Sequence, residues 1–322
     1  MFRIILLIIL NLTFVLLNLL FKDGINIMQI YQNETNTFGS ILELRSLSIL
    51  LAIGAGAGLS LVGLFLQTIF SNPLASPFTL GISPIVSLIV SIFLIFIPTL
   101  GYFSIYWLYL VQFLVSMIAA LGLLFWIQKI NKNNGNATFI ILIGVLLGSF
   151  SGAIQQIIEF NLSADLLKQN ALWNLGNFQA FALWIPIAVL FIIIICSIFL
   201  KKMTYQANIF LLGIQYARNL GLDTNQFIKI IIFISSIITS VITITCGPIG
   251  FIGLMAPHIS KIWLKSNNHK VVFLPTLLIG IFFSLFALWT SQLEFWNGSL
   301  SINIVLSIIG VPFTLFLLLK RN

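Results

Sequence analysis

Ten apolar runs of membrane-spanning length, almost free of charge, constrain this chain more than any other feature. They fall at about 2–21, 46–68, 79–99, 106–128, 138–159, 181–200, 225–245, 248–264, 271–290 and 301–319. A helix needs roughly 20 apolar residues to cross a bilayer, because it rises about 1.5 Å per residue. A soluble domain could not hide so many runs, since about a quarter of its residues are charged. Here charged residues make up 7% and mean hydropathy is +1.14. The expected class is an all-α polytopic membrane protein, with 1–322 forming a single transmembrane domain. The eighth run is short and interrupted by Pro257. A further stretch, 166–178, is too short and polar to span and reads as a re-entrant or interfacial helix.

The first run lacks the small-residue cleavage pattern of a signal peptide and reads as a retained span. An even number of spans puts both termini on one side. That side collects Arg3, Lys129, Lys132, Lys201, Lys202, Arg218, Lys229, Lys261, Lys265, Lys270, Lys320 and Arg321, 12 of the 15 basic residues. Lys22, Arg45 and Lys168 fall opposite. Basic loops stay in the cytoplasm, so both termini are expected there, in a multi-pass protein of the cell membrane. The net charge of +8 is then a matter of orientation, and no nucleic-acid partner is implied. Cys196 and Cys246 lie in apolar runs without ligand spacing and read as small buried or lipid-facing residues.

Ionisable groups are nearly missing from mid-membrane depth, which counts against an ion-coupled secondary carrier. Glu159 sits near an outer end and reads as an interfacial carboxylate. An integral-membrane enzyme would show clustered His, Glu or Asp, and two scattered histidines do not supply that. The chain is expected to catalyse no reaction.

Three stretches break the apolar pattern. In 64–83, LFLQTIFSNPLASPFTLGIS, Asn72-Pro73 and Ser76-Pro77 stop the second span on the cytoplasmic side. In 246–263, CGPIGFIGLMAPHISKIW, Gly247-Pro248 breaks the chain at the outer face and Pro257-His258 falls near the inner end. His258 has no second ligand spaced to join it and reads as a structural histidine. In 211–223, LLGIQYARNLGLD, residues 214–220 suit a short amphipathic helix. Such a helix either rests on the membrane surface or docks a soluble partner, and composition does not choose.

Together these stretches resemble the permease subunits of ABC importers for ferric siderophores, haem and cobalamin, the FecCD-type, type II importers. The family's G-x-x-x-Q followed by N-P-L-A-x-P-x-x-L-G is met by Gly63, Gln67, Asn72, Pro73, Leu74, Ala75, Pro77, Leu80 and Gly81. Its G-x-I-x-F-I-G-L-x-x-P-H is met by Gly247, Ile249, Phe251, Ile252, Gly253, Leu254, Pro257 and His258. Its L-G-x-x-x-A-R-x-L-G runs through Gly213, Ala217, Arg218, Leu220 and Gly221, and its closing I-G-x-P-F is Ile309-Gly310-Val311-Pro312-Phe313.

The resemblance implies about ten transmembrane helices in the type II permease fold and two permease subunits around a central path. It also implies a cytoplasmic ATPase dimer and an extracytoplasmic substrate-binding protein. By the same resemblance Asn72, Leu74 and Thr138 are expected at a cytoplasmic gate. A loop at about 203–224 is expected to couple to the ATPase. No G-x-x-x-x-G-K-[ST] phosphate loop occurs in the sequence, so ATP is expected on the partner and no cofactor on this chain. The implied cargo is an iron chelate, a ferric siderophore first, with haem and cobalamin as alternatives.

The sequence departs from the family at its docking charges. Of R-x-P-R only Arg45 remains, the other positions being Leu47 and Ser48. A family Asp and Arg, four apart, fall on Leu288 and Gln292, and E-L-P-x-G reads Ser299-Leu300-Ser301-Ile302-Asn303. Arg45 is thus the one docking cation expected. The loss favours a heterodimer, whose second permease keeps the missing charges, over a homodimer.

Overall fold

The computed structural model describes residues 2–22, 25–26, 35–100, 105–134, 137–180, 182–295 and 298–320. Ten helices correspond one to one to the ten apolar runs. They are α1 (Phe2–Leu20), α2 (Thr35–Ile69), α3 (Ile82–Leu100), α4 (Ile105–Asn134), α5 (Ala137–Phe160), α7 (Trp184–Phe210), α9 (Thr224–Cys246), α10 (Ile252–Leu264), α11 (His269–Ser291) and α12 (Ile302–Lys320). Two short helices lie between them, α6 (Ala164–Asn174) and α8 (Ile214–Asn219). Two hairpins of paired dipeptides, Phe21–Lys22 with Ile25–Asn26 and Glu294–Phe295 with Gly298–Ser299, cross no layer. Among the described residues six helices are long and apolar enough to cross a membrane, and Ile82–Phe93, Leu110–Trp126 and Ile302–Phe316 form shorter apolar stretches.

The helix ends differ from the sequence reading in one informative place. The sixth run was expected to end near 200, but α7 continues to Phe210. Lys201 and Lys202 therefore stand on a helix rather than in a loop. The Lys202 ammonium lies 5.8 Å from the Phe199 ring.

Helix α2 is the hub. It packs against α11, α7, α10, α9 and α1, and from Arg45 to Ile69 it is almost wholly buried. A helix apolar on every side belongs in the interior. Small residues let its neighbours approach. At Gly63 a Cβ would overlap the carbonyl of Gly253 on α10, so any larger residue would push the two helices apart. By contrast, only 11% of the 142–160 span of α5 is buried, and Phe150 and Ile157 are exposed. That apolar surface suits lipid or a second subunit.

Hydrogen bonds between helices sort the bundle into two ends. One end joins Arg3 to the Trp263 carbonyl, Lys261 to Gln67, and Asn208 to Asn268. The other joins Arg45 to the Leu19 carbonyl, Asn303 to Pro248, and the Asn177 amide to the Cys246 carbonyl. Since α1 begins at the first end and α12 runs toward it, both described termini share one end.

Candidate functional site

The first end carries two of the three unusual stretches, and the start of α5. The chain leaves α2 through Ser71, a non-glycine residue at φ 48°, and re-enters a helix at Ile82 after Gly81 at φ 77°. Between them the turn supplies its own hydrogen bonds. Asn72 Oδ1 accepts from the Leu74 amide at 2.9 Å, while the Asn72 amide donates back to the Gln67 carbonyl at 3.0 Å. Thr79 Oγ1 accepts from the Ser76 amide at 2.9 Å and donates to the Leu74 carbonyl at 2.7 Å. Asn and Ser side chains mimic backbone turns in this way, which is how a proline-broken segment can stay buried. Asn72, Ala75, Ser76 and Pro77 are buried, Pro73 and Leu74 half-buried, and Phe78 is exposed.

Helix α10 and helix α5 hold the turn from two sides. Pro257 has no amide to give the Gly253 carbonyl four residues earlier, so that acceptor is left open within the helix. Gln67 stands beside it. Its Nε2 lies 3.5 Å from the Gly253 carbonyl and donates to the Leu254 carbonyl at 3.2 Å, while Lys261 donates to its Oε1 at 3.3 Å. A Cβ on Gly253 would lie 3.3 Å from Pro77 Cδ, so the turn rests on this glycine. On the other side a Cβ at Gly144 of α5 would come within 2.7 Å of Leu80 Cα, and one at Gly81 within 2.8 Å of the Gly144 carbonyl. Thr138 opens that same helix, its side chain outside the described residues. His258 packs edge-on to Phe313 of α12, ring centroids 6.2 Å apart.

The 211–223 segment is built differently. Helix α8 is six residues long, bracketed by Gly213 at φ 101° and Gly221 at φ 82°. Ala217 is fully buried and anchors it, and Arg218 Nε donates to Thr224 Oγ1 at 3.1 Å. Asp223 caps α9 by accepting from the amides of Asn225 and Gln226, both at 3.0 Å. The rest faces outward: Leu212 is 61% exposed, Tyr216 69% and Leu220 61%. The segment is an apolar surface presented at the end of the bundle.

At the second end the departures from the family pattern converge. Ser48, Leu288, Gln292, Leu300, Ser301 and Ile302 all line one cavity of about 320 Å³, with no charged residue among the described residues of its wall. Arg45 sits nearby in sequence but is 3% exposed and donates to the Leu19 carbonyl at 2.7 Å. Its side chain points inward, where a docking cation would face outward. Glu159 accepts from Asn170 at 2.7 Å and from Gln155 at 3.3 Å, so this carboxylate belongs to a polar cluster between α5 and α6. Among the described residues no three of His, Cys, Asp and Glu come together to hold a metal ion.

Residues 3–320 match the FecCD transport family. The chain belongs to that family. Its relatives include the petrobactin import system permease protein of Bacillus subtilis, 28% identical over 326 residues, 99% of this chain and 97% of that one. The hemin transport system permease protein of Yersinia pestis is 25% identical over 282 residues, covering 87% and 83% of the two chains. The vitamin B12 import system permease protein of Photorhabdus laumondii is 27% identical over 284 residues, covering 87% and 82%. Among solved structures, an inward-facing conformation of a metal-chelate type ABC transporter superposes with a TM-score of 0.80 at 24% identity, covering 98% of both chains. That likeness bears on the fold.

The expected residues thus fall into three places. Asn72, Leu74, Gln67, Pro73, Pro77, Gly253 and Pro257 meet around one turn. Gly213, Ala217, Arg218, Leu220 and Gly221 form one protruding segment. Arg45 lies at the opposite end. Sequence reasoning passed over Thr79, Asn208 and His269. Asn268 before the apolar run of α11 carries a helix-start signal that could have drawn attention to the last of these.

Proposed function

We propose that this chain is one permease subunit of an ABC importer that carries an iron chelate, a ferric siderophore first, into the cell. The observation that carries the reading is the pairing at one end of the bundle of a buried, self-bonded turn with an exposed apolar segment. A conduit worked by a soluble motor needs both: a constriction that holds its shape and a surface on which force is applied. Asn72, Leu74 and Thr138 would form the constriction, and the 211–223 segment would seat the ATPase. This end is then cytoplasmic, both termini lie inside, and the protein resides in the cell membrane.

The implied assembly has two ATPases, a second permease and an extracytoplasmic binding protein, with ATP held by the ATPases. The neutral cavity wall at the outer end supports a second permease of different sequence. Arg45, being buried, would act in docking by fixing the α1–α2 end rather than by direct contact. Haem and cobalamin are second readings, favoured by the hemin and vitamin B12 permeases among the relatives.

The test is reconstitution of the purified complex in proteoliposomes, with its subunits identified and uptake of a labelled ferric siderophore followed. Uptake that requires ATP and survives collapse of ion gradients, with a second permease sequence present, is the expected result. Uptake that stops when gradients collapse while ATP is maintained would instead make the chain an ion-coupled carrier.

A further inference from the structure

One buried imidazole connects the two functional segments. His269, the first residue of α11, is completely buried. Its backbone amide and its Nδ1 both meet Asn208 Oδ1, at 2.7 and 3.1 Å, and its Nε2 lies 2.8 Å from Thr68 Oγ1. Asn208 Nδ2 in turn donates to Asn268 Oδ1 at 2.8 Å. The Phe65 ring closes the site, 5.6 Å from the imidazole.

The partners fix the tautomer. An amide oxygen only accepts, and Asn208 Oδ1 already receives the His269 backbone amide, so Nδ1 carries the proton. Nε2 is then an acceptor, and the single Thr68 hydroxyl hydrogen is shared between it, at 2.8 Å, and the Leu64 carbonyl one turn earlier on α2, at 3.0 Å. The ring is completely buried, so water does not reach it. Such a cluster moves as a unit or breaks.

Its position in the chain gives the cluster meaning. Thr68 lies in the last turn of α2, four residues before Asn72. Asn208 lies in the last turn of α7, three residues before Leu211. The three residues belong to three different helices, and the two outer ones lead directly into the turn and the exposed segment.

We propose that His269, held between Asn208 and Thr68, is the positioning residue that passes displacement of the 211–223 segment to the 70–81 turn. This rests on the importer reading above. When the segment shifts, the end of α7 carries Asn208 with it. The residue follows because its backbone amide and its ring Nδ1 share the Asn208 oxygen, and Thr68 is pulled through Nε2. The motion reaches Asn72 one helical turn later.

The test compares the reconstituted complex carrying Thr68→Val, Thr68→Ser and Asn208→Ala with the unaltered complex. Substrate carried per ATP hydrolysed and the melting midpoint are both measured. Loss of the Thr68 hydroxyl should lower substrate carried per ATP about fivefold or more, the low end of ordinary coupling between sites. Serine, which keeps the hydroxyl, should restore it. A fall in melting midpoint with the ratio unchanged would show a merely structural cluster and overturn the proposal. So would an equal loss in the serine variant. Should the valine variant fail to assemble, Asn208→Ala at a half-exposed position reads the other side of the ring, where an unchanged ratio has the same force. If the unaltered complex itself shows no ATP-driven uptake, the importer reading has failed. If it transports normally and the variants keep its ratio, only this link has.

Discussion

The turn at 70–81 and the segment at 211–223 lie at the same end of one bundle and are made on opposite plans. The turn is inward and closed. Asn72, Ser76 and Thr79 satisfy its backbone, and Gly81 and Gly144 let α5 press against it. The segment is outward and open, with Ala217 as its buried anchor and leucines and a tyrosine exposed on either side. A part that must keep its shape under load is tied to its surroundings, whereas a part that must be grasped is left uncovered. The difference predicts that substitutions in the turn act on stability and those in the segment act on assembly.

Gly144→Leu should have the largest effect. The leucine would drive into Leu80 Cα and the Thr79 carbonyl, backbone that cannot rotate away. The expected loss is at or above the upper end of the roughly 1–3 kcal/mol typical of overpacked cores. Thermal melting of the detergent-purified protein measures it, and an unchanged midpoint would mean that α5 does not brace the turn.

Asn72→Ala should cost less, about 1 kcal/mol, because it removes the acceptor of the half-buried Leu74 amide while leaving the Thr79 contacts in place. Uptake should fall by more than this small change in stability would account for. A variant that melts lower yet transports normally would separate Asn72 from the gate.

Much of this comparison was legible in the sequence, for physical reasons. Lipid tolerates neither charge nor unpaired backbone, so each of the ten apolar runs lies on one long helix, although α2 begins at Thr35 and α7 ends at Phe210, well beyond their runs. Prolines at 73 and 77 mark the break after α2 because a missing amide has a local consequence, whereas Pro257, read as an interruption, sits inside the continuous helix α10 and only leaves the Gly253 carbonyl open. The continuation of α7 to Phe210 was hidden because Lys201 and Lys202 look like the end of a span, although both stand within the helix. The inward turn of Arg45 was hidden too, since its acceptor is a backbone carbonyl on another helix. The Thr68–His269–Asn208 cluster depends on pairs 201 and 61 residues apart, which no spacing rule reports.

The central claim is that the exposed 211–223 surface is where a separate ATPase takes hold. Tyr216→Asp combined with Leu220→Asp tests it most directly, because both side chains point to solvent and contribute little to the fold. The pair should leave the melting midpoint within about 0.5 kcal/mol of the unaltered protein. Binding of the purified ATPase to the detergent-solubilised permease should be lost. ATPase binding that is undiminished by two new charges on this face would contradict the account.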